Sequence, residues 1–245
     1  MGVNKESCAI RMENSNMISE TKFARGYSSF WIEYFPWLNT YSQSAKASCE
    51  RFSAPLPEID KVEHRSINNM MAFIHFRNLL SDSNCSLEKT KDETLQYMMR
   101  FSRNNVSTYE FNENDKRIVT GQIANLQKLH PHNIKLDPPF PGCGIIDNCR
   151  GDILQEDKLI EVKAGNRSIQ PSDIKQLIVY LALNWIASPK PYVINQLEIY
   201  NPRVGYSWTV DVDGLFYSVT SYSKEEVFEQ MMKYLVLQSE EMILE

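Results

Sequence analysis

Residues 158–164 (KLIEVKA) constrain the fold more than any other stretch of the chain. Read as a strand, they place Leu159, Glu161 and Lys163 on one face and Ile160, Val162 and Ala164 on the other. The second face is wholly apolar and belongs against a helix. The first ends with an acid and a base side by side. Burying that pair on a central strand is costly unless a function uses it. A turn at 155–158 joins this strand to a preceding one at 152–155, which brings Asp152 near Glu161.

The rest of the chain divides by pattern around this hairpin. Residues 1–21 are polar and aperiodic and read as a flexible arm. Within 22–50, Phe30, Trp31, Tyr34, Phe35, Trp37 and Leu38 are spaced as a helical face broken at Pro36. A packed core is the simple use of such a face; an exposed platform for bases or a partner is the sharper one. Helices are expected over 60–80, 87–103 and 113–130, and the prolines of 131–143 mark a loop. Short β-prone pieces follow at 143–147, 152–155 and 158–164. Pro171 opens a long helix to about residue 187. Strands at 192–200 and 206–212 and a closing helix at 223–238 complete the order. It predicts an α/β fold, with a helical subdomain over 22–105 ahead of an α/β domain over 106–245.

The chain has 245 residues, 42% hydrophobic and 23% charged, a globular rather than a disordered composition. No apolar run approaches the roughly 20 residues of a membrane helix, and residues 1–16 show no secretory h-region. Five cysteines at scattered spacing argue for a reducing, cytoplasmic setting. Net charge is −5, so the chain as a whole lacks the basic footprint of a nucleic-acid binder. The charge is uneven: 13 basic against 12 acidic residues up to position 105, then 13 against 19. Affinity for a polyanion would need local Lys and Arg, together with a metal.

Asp152 and Glu161 suit Mg²⁺, which takes oxygen ligands, retains water and needs only one or two protein carboxylates. Such an ion lowers the pKa of bound water and neutralises charge on a phosphate. Lys163 would then orient or deprotonate the attacking water, or hold a phosphate oxygen. Gln176 and Tyr180 lie four apart, hence on one helix face, inside an otherwise apolar run. Both can reach the lysine or the metal-bound water.

This ordered set, Gly151-Asp152, then Glu161-Val162-Lys163, then Gln176-x-x-x-Tyr180, resembles the PD-(D/E)XK nuclease superfamily in its QxxxY, RecB-like branch. The resemblance covers roughly residues 110–240, with its motifs confined to 151–180, and Gly151 stands where the family motif has proline. It implies a restriction-endonuclease-like αβββαβ core, a central mixed sheet flanked by helices, behind the N-terminal helical subdomain. It implies a deoxyribonuclease dependent on Mg²⁺ or Mn²⁺, an endonuclease rather than an exonuclease, serving anti-phage defence, restriction or a mobile element. Asp152 and Glu161 would bind the metal, Lys163 would serve the attacking water, and Gln176 and Tyr180 would support the site or touch substrate. Family members often add an acid from the first core helix. Here that helix presents Gln122 in its middle and Glu113 and Asp115 at its start, so no third ligand is placed.

Lesser candidates surround the set. Arg167 and Lys175 flank the QxxxY helix as candidate contacts to substrate phosphates, with solvated surface as the bland use. His130, His132, Cys143 and Cys149 offer a zinc site at spacings unlike those of common structural sites. Asp147 before Asn148, and Arg203 in Asn-Pro-Arg, read as turn residues. The expected partners are DNA and either a further protein or a second copy of the chain, with no membrane. The competing reading is a catalytically inactive subunit that grips nucleic acid or a partner, against which the intact Asp152, Glu161 and Lys163 speak.

Overall fold

The computed structural model describes residues 17–100, 106–129, 133–187 and 189–244. Ser19 caps α1 (Glu20–Arg25) by accepting from the Lys22 N–H. Pro36 separates α2 (Ser28–Tyr34) from α3 (Leu38–Ala47). Phe30, Trp31, Phe35 and Leu38 are buried, so the aromatic face is core packing, with Trp37 exposed. A short strand β1 (Glu50–Arg51) precedes α4 (Arg65–Ser81), α5 (Leu87–Met98) and α6 (Glu113–Leu126). Ser86 caps α5, and a capping box of Asn112 and Asp115 opens α6. The chain continues through β2 (Ile134–Leu136), β3 (Pro139–Phe140), β4 (Cys149–Arg150), β5 (Ile153–Gln155) and β6 (Lys158–Val162). After α7 (Pro171–Ile186) come β7 (Gln196–Asn201), β8 (Tyr206–Asp211), α8 (Val212–Val219) and α9 (Lys224–Leu244).

The central sheet is six-stranded and mixed, in the order β1-β8-β7-β6-β5-β2. β6 and β7 run parallel and are joined through α7, the crossover a parallel pair requires. The other neighbours in this sheet are antiparallel. Side-chain alternation on β6 sorts its faces as the sequence suggested. Ile160 and Val162, with Ile153 and Tyr200, pack against Phe73 and Phe76 of α4 and Leu126 of α6. Leu159, with Leu197 and Ile199, packs on the other face against Leu177 and Ile178 of α7. Phe23, Phe30, Trp31 and Leu38 belong to that same core, so α1–α3 are packed into one hydrophobic unit with α7. The fold is thus α/β, a mixed sheet flanked by helices. Among the described residues no helix is long and apolar enough to cross a membrane.

Several expectations change. Residues 143–147 form a tight turn rather than a strand, with Cys143 and Ile146 exchanging both backbone hydrogen bonds. Gly144 there has φ +54, and a Cβ would strike the Leu235 carbonyl of α9. The strand that completes this end of the sheet is β2, inside the stretch expected as loop; it fits between Pro131 and Pro138, where the sequence has no proline. β1 and α8 were not expected either. β1 is two residues long and carries no periodic signal, and α8 starts immediately beyond β8, where Asp211 caps Gly214 N. From Met17 on, the presumed arm belongs to the fold: Ile18 N donates to Ile145 O, and Asp147 N donates to Ile18 O. Residues 1–16 of that arm, and 101–103 of the helix expected over 87–103, lie outside the described residues.

Arg203 is more than a turn residue. It is buried and paired bidentately with buried Asp60 at 3.1 and 2.9 Å, and it also donates to Asn69 Oδ1 at 3.1 and 2.9 Å. The bond ties the β7–β8 turn to α4 and the segment before it. Arg203→Met leaves the buried Asp60 carboxylate with only the Asn68 amide and Arg65 at 3.7 Å; loss of one partner of a buried pair costs up to about 3–5 kcal/mol. The expected outcome is a lower urea midpoint, much of it recovered when Asp60→Leu is added; an unchanged midpoint in the single variant would contradict the role.

Candidate active site

Three elements deliver the chemistry. The β5–β6 hairpin pairs Gln155 with Lys158 across a turn in which Glu156 adopts φ 54. Asp152, just ahead of β5, therefore lies beside the end of β6, where its Oδ2 accepts from the Val162 N–H at 2.7 Å. The β6 ladder continues one residue further, with Lys163 N donating to Tyr200 O. Glu161 and Lys163 consequently point together toward α7. That helix begins at Pro171 with a capping box of Gln170 and Asp173, and its register sets Gln176 and Tyr180 against the pair.

The side chains form one continuous chain of hydrogen bonds. Lys163 Nζ donates to Glu161 Oε1 at 2.7 Å and to Gln176 Oε1 at 2.8 Å. Gln176 Nε2 donates to the Tyr180 hydroxyl at 3.0 Å. The Tyr180 hydroxyl lies 3.0 Å from the Arg150 carbonyl oxygen, and its ring stacks on Phe140. A further residue, Glu20 of α1, joins the same chain: its Oε1 lies 3.2 Å from Gln176 Nε2 and 3.3 Å from the Tyr180 hydroxyl. Sequence reasoning missed Glu20 because the contact spans 156 residues. Its only local signal is the Ser19 helix start. Gln122, Glu113 and Asp115 do not enter this chain. Asp115 is buried against His64 and Asn68, Glu113 pairs with Lys116 in solvent, and Gln122 donates to Asn69.

Withdrawal from water, and then the charge of Glu161, hold the Asp152 carboxyl well above the usual range; the Val162 N–H and Lys163 oppose the shift only in part. Burial likewise raises Glu161 despite the neighbouring Lys163. Burial by itself would lower Lys163, but the charge and hydrogen bond of Glu161 outweigh it, and the net shift is upward. Glu161 Oε2 is buried without a hydrogen-bond partner. Two ionisable carboxyls near one another, one with an unsatisfied oxygen, fit a hard divalent cation that keeps most of its water. Among the described residues no group of three or more His, Cys, Asp or Glu side chains is set to hold an ion by itself, so the fit rests on the Asp152–Glu161 pair.

Asp152 also opens outward. It lines a cleft of about 390 Å³ with Met70, Phe73 and Arg77 of α4 and Arg150 beside it. It lines a second, of about 220 Å³, with Asn69, Met70 and Phe73. Arg167 and Lys175 lie elsewhere. Arg167 holds Asp173 in a bidentate pair at 2.6 and 2.7 Å, and Lys175 sits 5.1 Å from the Trp31 ring centroid. Asp147 accepts from Asn148 N, as a turn residue does. Of the zinc candidates, His130 and His132 lie outside the described residues. Cys143 is disulfide-bonded, unlike the separate thiols expected, whereas Cys49, Cys85 and Cys149 are free. No family model and no curated protein matches the chain.

A carboxyl whose pKa rises on folding binds its proton more tightly in the folded chain. Stability is then lost as pH rises from the unfolded value, about 3.9 for Asp, toward the folded one. In EDTA, Asp152→Asn is therefore expected to raise Tm near neutral pH, by about 2–4 °C for each kcal/mol recovered. The gain should vanish as pH falls below about 4. Thermal melts across this range check it; a gain independent of pH would rule out the electrostatic cause.

Proposed function

We propose that this protein is a metal-dependent nuclease of the PD-(D/E)XK type, hydrolysing phosphodiester bonds in DNA. The observation that carries the reading is the convergence of Asp152, Glu161 and Lys163 at the end of β6, with Glu161 Oε2 left without a partner. Asp152 and Glu161 would hold Mg²⁺ or Mn²⁺. When bound, that ion supplies an activated water and neutralises charge on the phosphate. Lys163 donates to the attacking water or to a non-bridging phosphate oxygen, from a position already set by Glu161 and Gln176. Gln176 holds Lys163 in place, and Tyr180 holds Gln176. The order of α6, β2, β5, β6, α7 and β7 is in keeping with an αβββαβ core, and α4 supplies a wall of the clefts at Asp152.

Endonuclease action in defence, restriction or a mobile element is part of the same proposal, as is a protein partner or second copy that supplies target choice. The acidic balance of the chain gives it little general affinity for a polyanion. Arg167 and Lys175 are each engaged within the chain and would have to leave Asp173 and Trp31 to meet phosphates. The free thiols of Cys49, Cys85 and Cys149 accord with a cytoplasmic setting; the Cys143 disulfide does not.

Plasmid DNA offered with Mg²⁺ or Mn²⁺ should be cut, and EDTA should stop the cutting. Lys163→Ala is expected to lower kcat ~10²–10³-fold, and Asp152→Ala to abolish cleavage. RNA offered in parallel decides the polymer. Tight DNA binding with no cleavage under either metal would instead mark an inactive, binding subunit.

A further inference from the structure

The end of the hydrogen-bond chain lies on α1, outside the motif region. Ile18 is laced into the 143–147 turn through Ile145 O and Asp147 N, Ser19 caps the helix, and Phe23 is wholly buried. These contacts deliver Glu20 to Gln176 and Tyr180. We propose that Glu20 is a positioning residue of the site: its carboxylate fixes the orientation of the Gln176 amide and, through it, the place of the Lys163 ammonium. Its part in catalysis rests on the nuclease reading; its part in orienting the amide does not.

The physical case lies in the two unlike ends of a glutamine side chain. Oε1 only accepts and Nε2 only donates. As placed, Oε1 accepts from Lys163 at 2.8 Å, and Nε2 donates to Tyr180 and Glu20 at 3.0 and 3.2 Å. A flipped amide would set Nε2 against an ammonium and Oε1 against a carboxylate, opposing donor to donor and acceptor to acceptor. The Tyr180 hydroxyl can donate or accept, but its one proton goes to the Arg150 carbonyl or to Glu20, so it meets the amide as an acceptor. The Glu20 carboxylate only accepts, so at the far end of the amide it receives Nε2 directly and reinforces that role of the hydroxyl. Gln176 is buried, so water does not readily take over that task. The N-terminal segment thereby becomes a working part of the site rather than packing alone.

A kinetic double-mutant cycle tests this. Glu20→Ala should lower kcat for DNA cleavage ~10–100-fold with KM unchanged, as loss of a supporting partner does. In a Gln176→Ala background the same substitution should cost nothing further. Should Glu20→Ala fail to fold, Glu20→Gln carries the cycle, since it keeps the shape and removes the obligate acceptor. A second readout needs no activity. The Gln176 side-chain amide ¹⁵N–¹H signals, identified by their loss in Gln176→Ala, should shift or broaden in the Glu20 variant but not in Glu113→Ala. Wild-type kcat in the Glu20 variant, an equal loss in both backgrounds, or an unmoved amide signal each overturns the proposal. A wild-type protein that cuts neither DNA nor RNA would defeat the nuclease reading alone, and the amide signals would still decide the orientation.

Discussion

The structure turns on the burial of Glu161 beside Lys163 on a strand whose neighbours are apolar. Withdrawing each ion from water costs several kcal/mol, and their mutual bond repays this only when the remaining donors and acceptors are met. The lysine finds its second acceptor in Gln176 Oε1. Gln176 then needs acceptors of its own, which Tyr180 and Glu20 supply from α7 and α1. One charged pair on β6 thus dictates polar residues on a helix that is otherwise deeply buried, and recruits an acid from the start of the described chain. Within this network the atom left open is Glu161 Oε2, on the oxygen turned away from the lysine bond.

A second buried ion pair anchors the helix that lines the clefts at Asp152. Arg203 locks Asp60 and Asn69, and Asn68 of α4 bridges Asp60 to Asp115 of α6. Burial alone would raise the pKa of Asp60, but hydrogen bonds from Arg203 and Asn68, with the charge of Arg203, hold it below the usual carboxylate range. The helix anchored in this way, α4, supplies Asn69, Met70 and Phe73 to the clefts on which Asp152 opens. The walls of these clefts thus come from α4, held through Asn69 by Arg203, and from the segment of Arg150 and Gly151 that carries Asp152.

Local rules were enough to read much of this from the chain. Strand parity placed Glu161 with Lys163 and set Ile160 and Val162 on the opposite face, because alternation is a property of the backbone. The 155–158 turn brought Asp152 to the end of β6, and helix register joined Gln176 to Tyr180. What the chain did not reveal has no period. β1 and β2 are too short to show alternation, and the 143–147 segment is extended in composition but held as a turn by Gly144 packed against α9. Glu20 and Arg203 act across 156 and 143 residues respectively, and nothing local distinguishes them from other surface-type charges.

That contrast bears on why the charged chain exists. A pair of aliphatic side chains at 161 and 163 would extend the packing that Leu159 already makes with Leu177 and Ile178, and would need no Gln176, Tyr180 or Glu20 to satisfy it. Replacing a buried ion pair with well-packed apolar residues is often neutral or stabilising by about 1–4 kcal/mol. The raised carboxyls of Asp152 and Glu161 work against folding at neutral pH, and the open oxygen of Glu161 adds to that cost. A divalent cation held by the two carboxylates would offset both penalties together. The strain therefore lies where the proposed chemistry takes place, and the apolar packing of α7 on the sheet is what sustains it.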